Sequence, residues 1–150
     1  MYNHAPEGYE CPFCRVAAGL ENEGWNYHSD VVLRTEQVTA FVSPTWWDNN
    51  AGHVIVVPNA HIENIYDLMP DIAVYVHEAA RQIAIAFKQV YGCDGTSTRQ
   101  HNEPGGNQDV FHYHLHVFPR YRGDRLYENT PAYRQTTREE RAEFLREAGY

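Results

Sequence analysis

The run Phe111-His112-Tyr113-His114-Leu115-His116-Val117-Phe118 constrains this chain more than any other stretch. Its histidines alternate with apolar or aromatic residues at strict two-residue spacing. On a β-strand successive side chains point to opposite faces. The three imidazoles then line one face, while Tyr113, Leu115 and Val117 enter an apolar layer behind them. Imidazole is the side chain best suited to act near neutral pH as base, nucleophile or metal ligand. The alternation therefore predicts a strand with a site on one side and core on the other.

The remaining pattern supplies partners for such a strand. Val31–Arg34 and Val38–Val42 read as short strands split by Thr35-Glu36-Gln37. Residues 53–57 are the strongest strand of the chain, stopped by Pro58. Between them, residues 43–52 read as a loop carrying Pro44, Trp46, Trp47, Asn49 and Asn50. Residues 62–68 have a short helical pattern. The one long helix spans 71–91, with Ile72, Val76, Ala79, Ala80, Ile83 and Phe87 at helical spacing. Pro70 suits its first turn and Gly92 its stop. Residues 96–102 and 114–121 are the last strands, and a mostly charged helix covers 137–147 with Phe144 and Leu145 as its apolar contacts. One long helix on a largely antiparallel sheet is an α+β fold. At 150 residues the chain is one domain's worth, with residues 1–10 a polar lead-in and 126–150 a C-terminal extension.

The formal charge is −8, and Lys88 is the single lysine. Such a balance disfavours duplex nucleic acid and anionic membranes as partners, but leaves room for a small anionic ligand held by local donors. No apolar run reaches the ~18 residues of a membrane span, and the start lacks an apolar signal segment, so the expected location is the cytoplasm. Cys11, Cys14 and Cys93 are an odd set, which argues against a disulfide framework. Cys11-Pro12-Phe13-Cys14 lacks the preceding strand of a redox motif and reads as metal-binding; Cys93 reads as a small buried hydrophobe. The histidines themselves leave two chemistries open. They suit a catalytic metal site, or a middle imidazole attacking phosphorus while its neighbours orient it and the leaving group. The turn at 103–108, with Gly105 and Gly106 ahead of Gln108, is suited to presenting backbone N–H groups to an anion and favours the second.

In these residues the chain resembles the histidine-triad (HIT) nucleotide hydrolases and transferases. The resemblance is carried by the run 112–118, by Gly52-His53 through Pro58-Asn59-Ala60-His61, by Cys11-Pro12-Phe13-Cys14 and by Pro119-Arg120-Tyr121. It implies a five-stranded antiparallel sheet with one long and one or two short helices, pairing through the long helix into a homodimer. It implies that His114 is the nucleophile that forms a nucleotidyl-histidine intermediate. His116 would contact the leaving-group atom, His53 would help hold the imidazole network, and His112 would stand beside the nucleophile. A purine nucleotide would be the substrate, with Gln108 at the scissile phosphate, Asn102, Ser43 and Asp109 around it, and Arg120 toward a longer polyphosphate. As in some bacterial members, Cys11, Cys14, His61 and His112 would hold a structural zinc. A non-enzymatic nucleotide-binding protein, or a metal-dependent hydrolase with the triad as ligands, are the alternative functions.

Three departures bear on the substrate. Ser43 stands where many members have Asp or Asn against the ribose. The loop before Gly52 is about two residues longer, placing Trp46 or Trp47 to stack on a base or pack in the core. Asn107 and Asp109 replace the usual Gly and Ser or Thr, and a carboxylate there repels phosphate unless it faces away. His4, His28 and His77 read as surface residues. His101 is near the phosphate pocket but is also read as lying outside it.

Overall fold

A computed structural model describes residues 2–128 and 133–149; Met1, Tyr150 and residues 129–132 of the C-terminal extension lie outside the described residues. In chain order the elements are α1 (Pro12–Ala17), β1 (Val31–Arg34), β2 (Val38–Val42), β3 (Thr45–Trp47), β4 (Val54–Pro58), α2 (Pro70–Ala86), β5 (Gly95–Gln100), β6 (Leu115–Arg120), β7 (Tyr133–Gln135) and α3 (Arg138–Glu147). Five strands form one antiparallel sheet in the order β1-β2-β4-β6-β5. This is the α+β architecture expected from the sequence. β2 and β4 are buried at every position, which is why they are continuous apolar runs instead of alternating ones.

Strand alternation sends two layers in opposite directions. Val38, Ala40, Val42, Val54, Val56, Leu115 and Val117 pack on α2 through Val76, Ala79, Ala80 and Ile83, and on Phe87 just beyond its end. Phe41, Ile55 and Val57 face the other way and meet α1 through Phe13 and Val16. Cross-strand pairing puts Phe41, Ile55, His116 and Arg99 in one row across that second face. The site therefore lies on the side of the sheet away from α2.

Several boundaries differ from the sequence reading. β6 begins at Leu115, so His112 and His114 sit in an extended arm ahead of the ladder, where the Tyr113 N–H donates to the Ile62 carbonyl at 2.6 Å. Residues 62–68 shrink to one 3₁₀ turn at Ile65–Asp67, capped by the Asn64 side chain. α2 stays α-helical to Ala86, then widens into a π turn over Phe87–Tyr91 that stops at left-handed Gly92. Residues 43–52 are not all loop: β3 pairs with β7 of the C-terminal extension, Trp46 opposite Arg134 and Trp47 opposite Tyr133. α1 was not visible in the sequence; Pro12 occupies its first turn and the Cys11 sulfur accepts from the Cys14 N–H. α3 starts at a capping box of Thr137 and Glu140. Its Arg141 is buried against Asp30, and its Phe144 covers Gly52, where an added Cβ would lie 2.1 Å from the ring.

Candidate active site and metal cluster

His114 is 1% exposed, and its Nδ1 lies 2.7 Å from the backbone carbonyl of His112. A carbonyl only accepts, so Nδ1 carries the proton and Nε2 keeps its lone pair. Burial holds the ring's pKa below the ordinary imidazole value, and it is neutral at pH 7. Phe13 presents to it at a centroid distance of 5.1 Å, and the half-buried His116 lies 5.0 Å away on the other side. Burial holds His116 well below the imidazole range, with the neighbouring histidines adding to the effect. His53 stacks on Phe118 at 4.5 Å and lies 5.6 Å from His116. Burial, then the charge of Arg99, pulls the His53 pKa down to about 3. These rings open onto a cavity of about 480 Å³. Phe13, Trp25, Trp47 and Tyr133 form its aromatic wall.

The structure divides the residues that the sequence offered for substrate. Ser43 and Asp109 line the cavity. The Ser43 hydroxyl donates to the Thr45 carbonyl and accepts from the Thr45 N–H, and the 85%-exposed Asp109 carboxylate lies 3.7 Å from His114 Nε2. Gln108 and Asn102 are outside the lining. Gln108 is buried; its amide donates to the carbonyls of Glu63 (2.6 Å) and Val110 (3.1 Å) and accepts from the Glu103 N–H (2.7 Å). With those bonds made, the side chain holds the 103–110 turn and has nothing left for a phosphate. Asn102 accepts from the Ile65 N–H and exchanges amide bonds with Gln100. Arg120 is also turned away, in a two-pronged ion pair with Asp124 over the Tyr127 ring. The two tryptophans separate: Trp46 is core, its indole N–H donating to the Ser43 carbonyl at 2.7 Å, and Trp47 is cavity wall. His101, read as lying outside, lines the cavity with Nδ1 2.6 Å from the Gly106 carbonyl. Arg99 lines it too and was not singled out at all. Its signal is its register opposite His116, which only the strand pairing shows.

The cysteines meet two histidines. Ligand atoms of Cys11, Cys14, His61 and His112 all lie within 4.8 Å of one another. Nδ1 of His112 is 3.3 Å from the Cys11 sulfur and 3.5 Å from that of Cys14, whose sulfur is 3.2 Å from His61 Nδ1. Bonds of about 2.0 to 2.3 Å from a tetrahedral zinc to nitrogen and sulfur imply ligand-to-ligand edges of about 3.3 to 3.8 Å. The spacing and the two-sulfur, two-nitrogen donor set fit such an ion. Nε2 of His112 lies 2.9 Å from the Pro58 carbonyl and donates to it, which turns the Nδ1 lone pair toward the sulfurs. Of the triad, this cluster takes His112 alone. Among the described residues, the geometry for three triad histidines sharing one catalytic metal is absent.

Alternating histidines ahead of and within a central antiparallel strand, over a sheet backed by one long helix, define a histidine-triad protein. The family model described as the HIT domain matches residues 26–123, and the chain belongs to that family. It is 35% identical over 115 residues to "Protein hit" of Bacillus subtilis, covering 76% of this chain and 74% of that one. A HIT-like protein from Bartonella henselae has a solved structure similar to this one with a TM-score of 0.78 at 25% identity, covering 97% of each chain. A Zn-bound histidine triad family protein from Mycobacterium smegmatis gives a TM-score of 0.73 at 26% identity, covering 93% of this chain and 92% of that one. Among the described residues no helix is long and apolar enough to cross a membrane.

Proposed function

We propose that this protein is a nucleotide hydrolase that releases a nucleoside monophosphate from a phosphoramidate, a phosphoanhydride or a dinucleoside polyphosphate. The observation that carries the reading is the bond from His114 Nδ1 to the His112 carbonyl, which leaves a neutral Nε2 facing the cavity. The Nε2 lone pair attacks the α-phosphorus. The bond to the leaving oxygen or nitrogen breaks, its electron pair goes with that atom, and solvent protonates it. His116 stands beside His114 to contact the leaving atom. As the nucleotidyl-imidazole forms, the His112 carbonyl supports the positive charge that develops on the ring. Water then attacks the phosphorus and gives up a proton to solvent, the N–P bond breaks and its electron pair returns to Nε2. The aromatic wall supports a purine as the base.

Cys11, Cys14, His61 and His112 would hold a structural zinc, which when bound fills a four-ligand shell and leaves no place for a water. Exposed Val74, Tyr75 and Ile85 on α2 support pairing of two copies through that helix. The test is intact-mass spectrometry of protein quenched during reaction with adenosine phosphoramidate or a diadenosine polyphosphate, beside His114→Ala. A nucleotidyl adduct on the wild type alone is expected. Absence of both adduct and turnover with either substrate would leave the second reading, a nucleotide-binding protein without catalysis.

A further inference from the structure

The side chains first offered for the phosphate do not reach it. Gln108 and Asn102 are spent on the turn and its neighbours. Asp109 brings negative charge to within 3.7 Å of the attacking nitrogen. An anion entering such a site needs a cation, and one lining side chain is charged at every relevant pH, Arg99. β5 sets it there. Arg99 stands directly opposite His116 in the antiparallel register, so the two side chains rise together from one face of the sheet.

The guanidinium is positioned but not neutralised. Its carbon lies 5.2 Å from the ring centre of Trp47 and 4.9 Å from that of Phe118. Its buried Nε has no hydrogen-bond partner among the described residues. Among the described residues no carboxylate forms an ion pair with it. A partly buried cation held over two aromatic rings, with the Asp109 carboxylate acting on it only at a distance and not in an ion pair, is a ready receptor for phosphate oxygens. The chain's charge of −8 makes this a local device and not part of a basic surface.

Resting on the nucleotide chemistry above, we propose that Arg99 is the phosphate-binding residue of this site. Its guanidinium takes the non-bridging oxygens of the α-phosphate while His114 attacks, and stabilises the charge of the transition state. Arg99 is then a catalytic residue in its own right, beside the histidines.

Calorimetric titration of the full chain with AMP and with adenosine tests this, because only AMP carries the phosphate. Wild type should prefer AMP. Arg99→Gln should lose about ten- to a hundredfold in AMP affinity with adenosine affinity kept. Arg99→Lys, which keeps the charge without the fork, should fall between. If Arg99 merely packs Trp47 and Phe118, the substitutions will weaken AMP and adenosine alike. An AMP-to-adenosine ratio that is unchanged in Arg99→Gln, or no preference in the wild type, overturns the proposal. The adduct assay on the same proteins separates the two claims. An Arg99-dependent preference for AMP without adduct or turnover keeps Arg99 as the phosphate ligand and retires the hydrolase. A wild-type adduct formed at the same rate in Arg99→Gln, with the ratio unchanged, keeps the hydrolase and removes Arg99.

Discussion

A buried imidazole without partners is a liability whose size depends on pH, and His53 is such a group. Among the described residues neither of its ring nitrogens has a hydrogen-bond partner, and it is 1% exposed between Trp47, Phe118 and His116. Its folded pKa is about 3, against about 6.5 in an unfolded chain. Above pH 6.5 both states are neutral there. Between 6.5 and 3 the unfolded chain takes up a proton that the folded one refuses, so stability falls as the pH drops through that window. One such group costs about 1.4 kcal/mol per pH unit. His53→Phe keeps the stack and removes the titration. Whatever the gap between the two proteins at pH 7, it should shift by about 2 to 3 kcal/mol in favour of the variant by pH 4.5. Urea unfolding of both proteins across that range checks it, and a gap that does not move with pH would contradict the assignment. At this scale the sequence was informative where placement follows from residue type and spacing: His114 lines the cavity and Cys11 stands in the four-residue cluster. It was silent where a side chain's partners decide. Gln108 is occupied by backbone, Arg99 enters the cavity through strand register, and turn geometry decides between the two readings the sequence left for His101.

Elements follow the same division. β2, β4 and α2 were legible because their burial is written in local apolar pattern. β3 and β7 were not, since each has three residues and exists only because Thr45–Trp47 finds Tyr133–Gln135 far along the chain. α3 was legible as a helix through its charged pattern, but the same charges hid how it docks. Arg141 looks like a solvated residue and is 1% exposed, donating to both oxygens of Asp30 at 2.8 and 3.0 Å and to the carbonyls of Trp25 and Thr136. Removing one partner strands a charge that cannot reach water. Arg141→Met should therefore cost about 3 to 5 kcal/mol, and adding Asp30→Asn should restore part of it. Denaturant midpoints of the two variants decide the point. An equal loss in both would assign the cost to the carbonyls of Trp25 and Thr136, which lose their donor, and not to the buried carboxylate.

For the whole molecule, the Cys11–Cys14–His61–His112 cluster joins three stretches distant in sequence: the start of α1, the segment after β4 and the arm that carries His114. His112 does two things at once. Its ring faces the two sulfurs, and its carbonyl fixes the proton of His114. Without a cation the cluster is electrostatically unfavourable for thiolates: burial and the neighbouring Cys11 push the Cys14 pKa up to about 12. A bound divalent ion reverses that order and releases protons on binding. The protein as purified should carry about one zinc per chain, since the four side chains complete one tetrahedral shell. Chelation or Cys14→Ser should lower the thermal midpoint by on the order of 10 °C, because the loss of a few kcal/mol is spread over a chain of this length. Calorimetric scans with chelator, and after zinc is returned, measure this directly. Because no triad histidine other than His112 enters the cluster, the loss should appear in stability first. Below the lowered midpoint His114 should still form its adduct, more slowly if its arm has loosened. Adduct formation abolished by chelator at temperatures where the sheet remains folded would instead place the ion in the chemistry. A midpoint indifferent to both chelator and Cys14→Ser would mean that the four side chains close on one another without it.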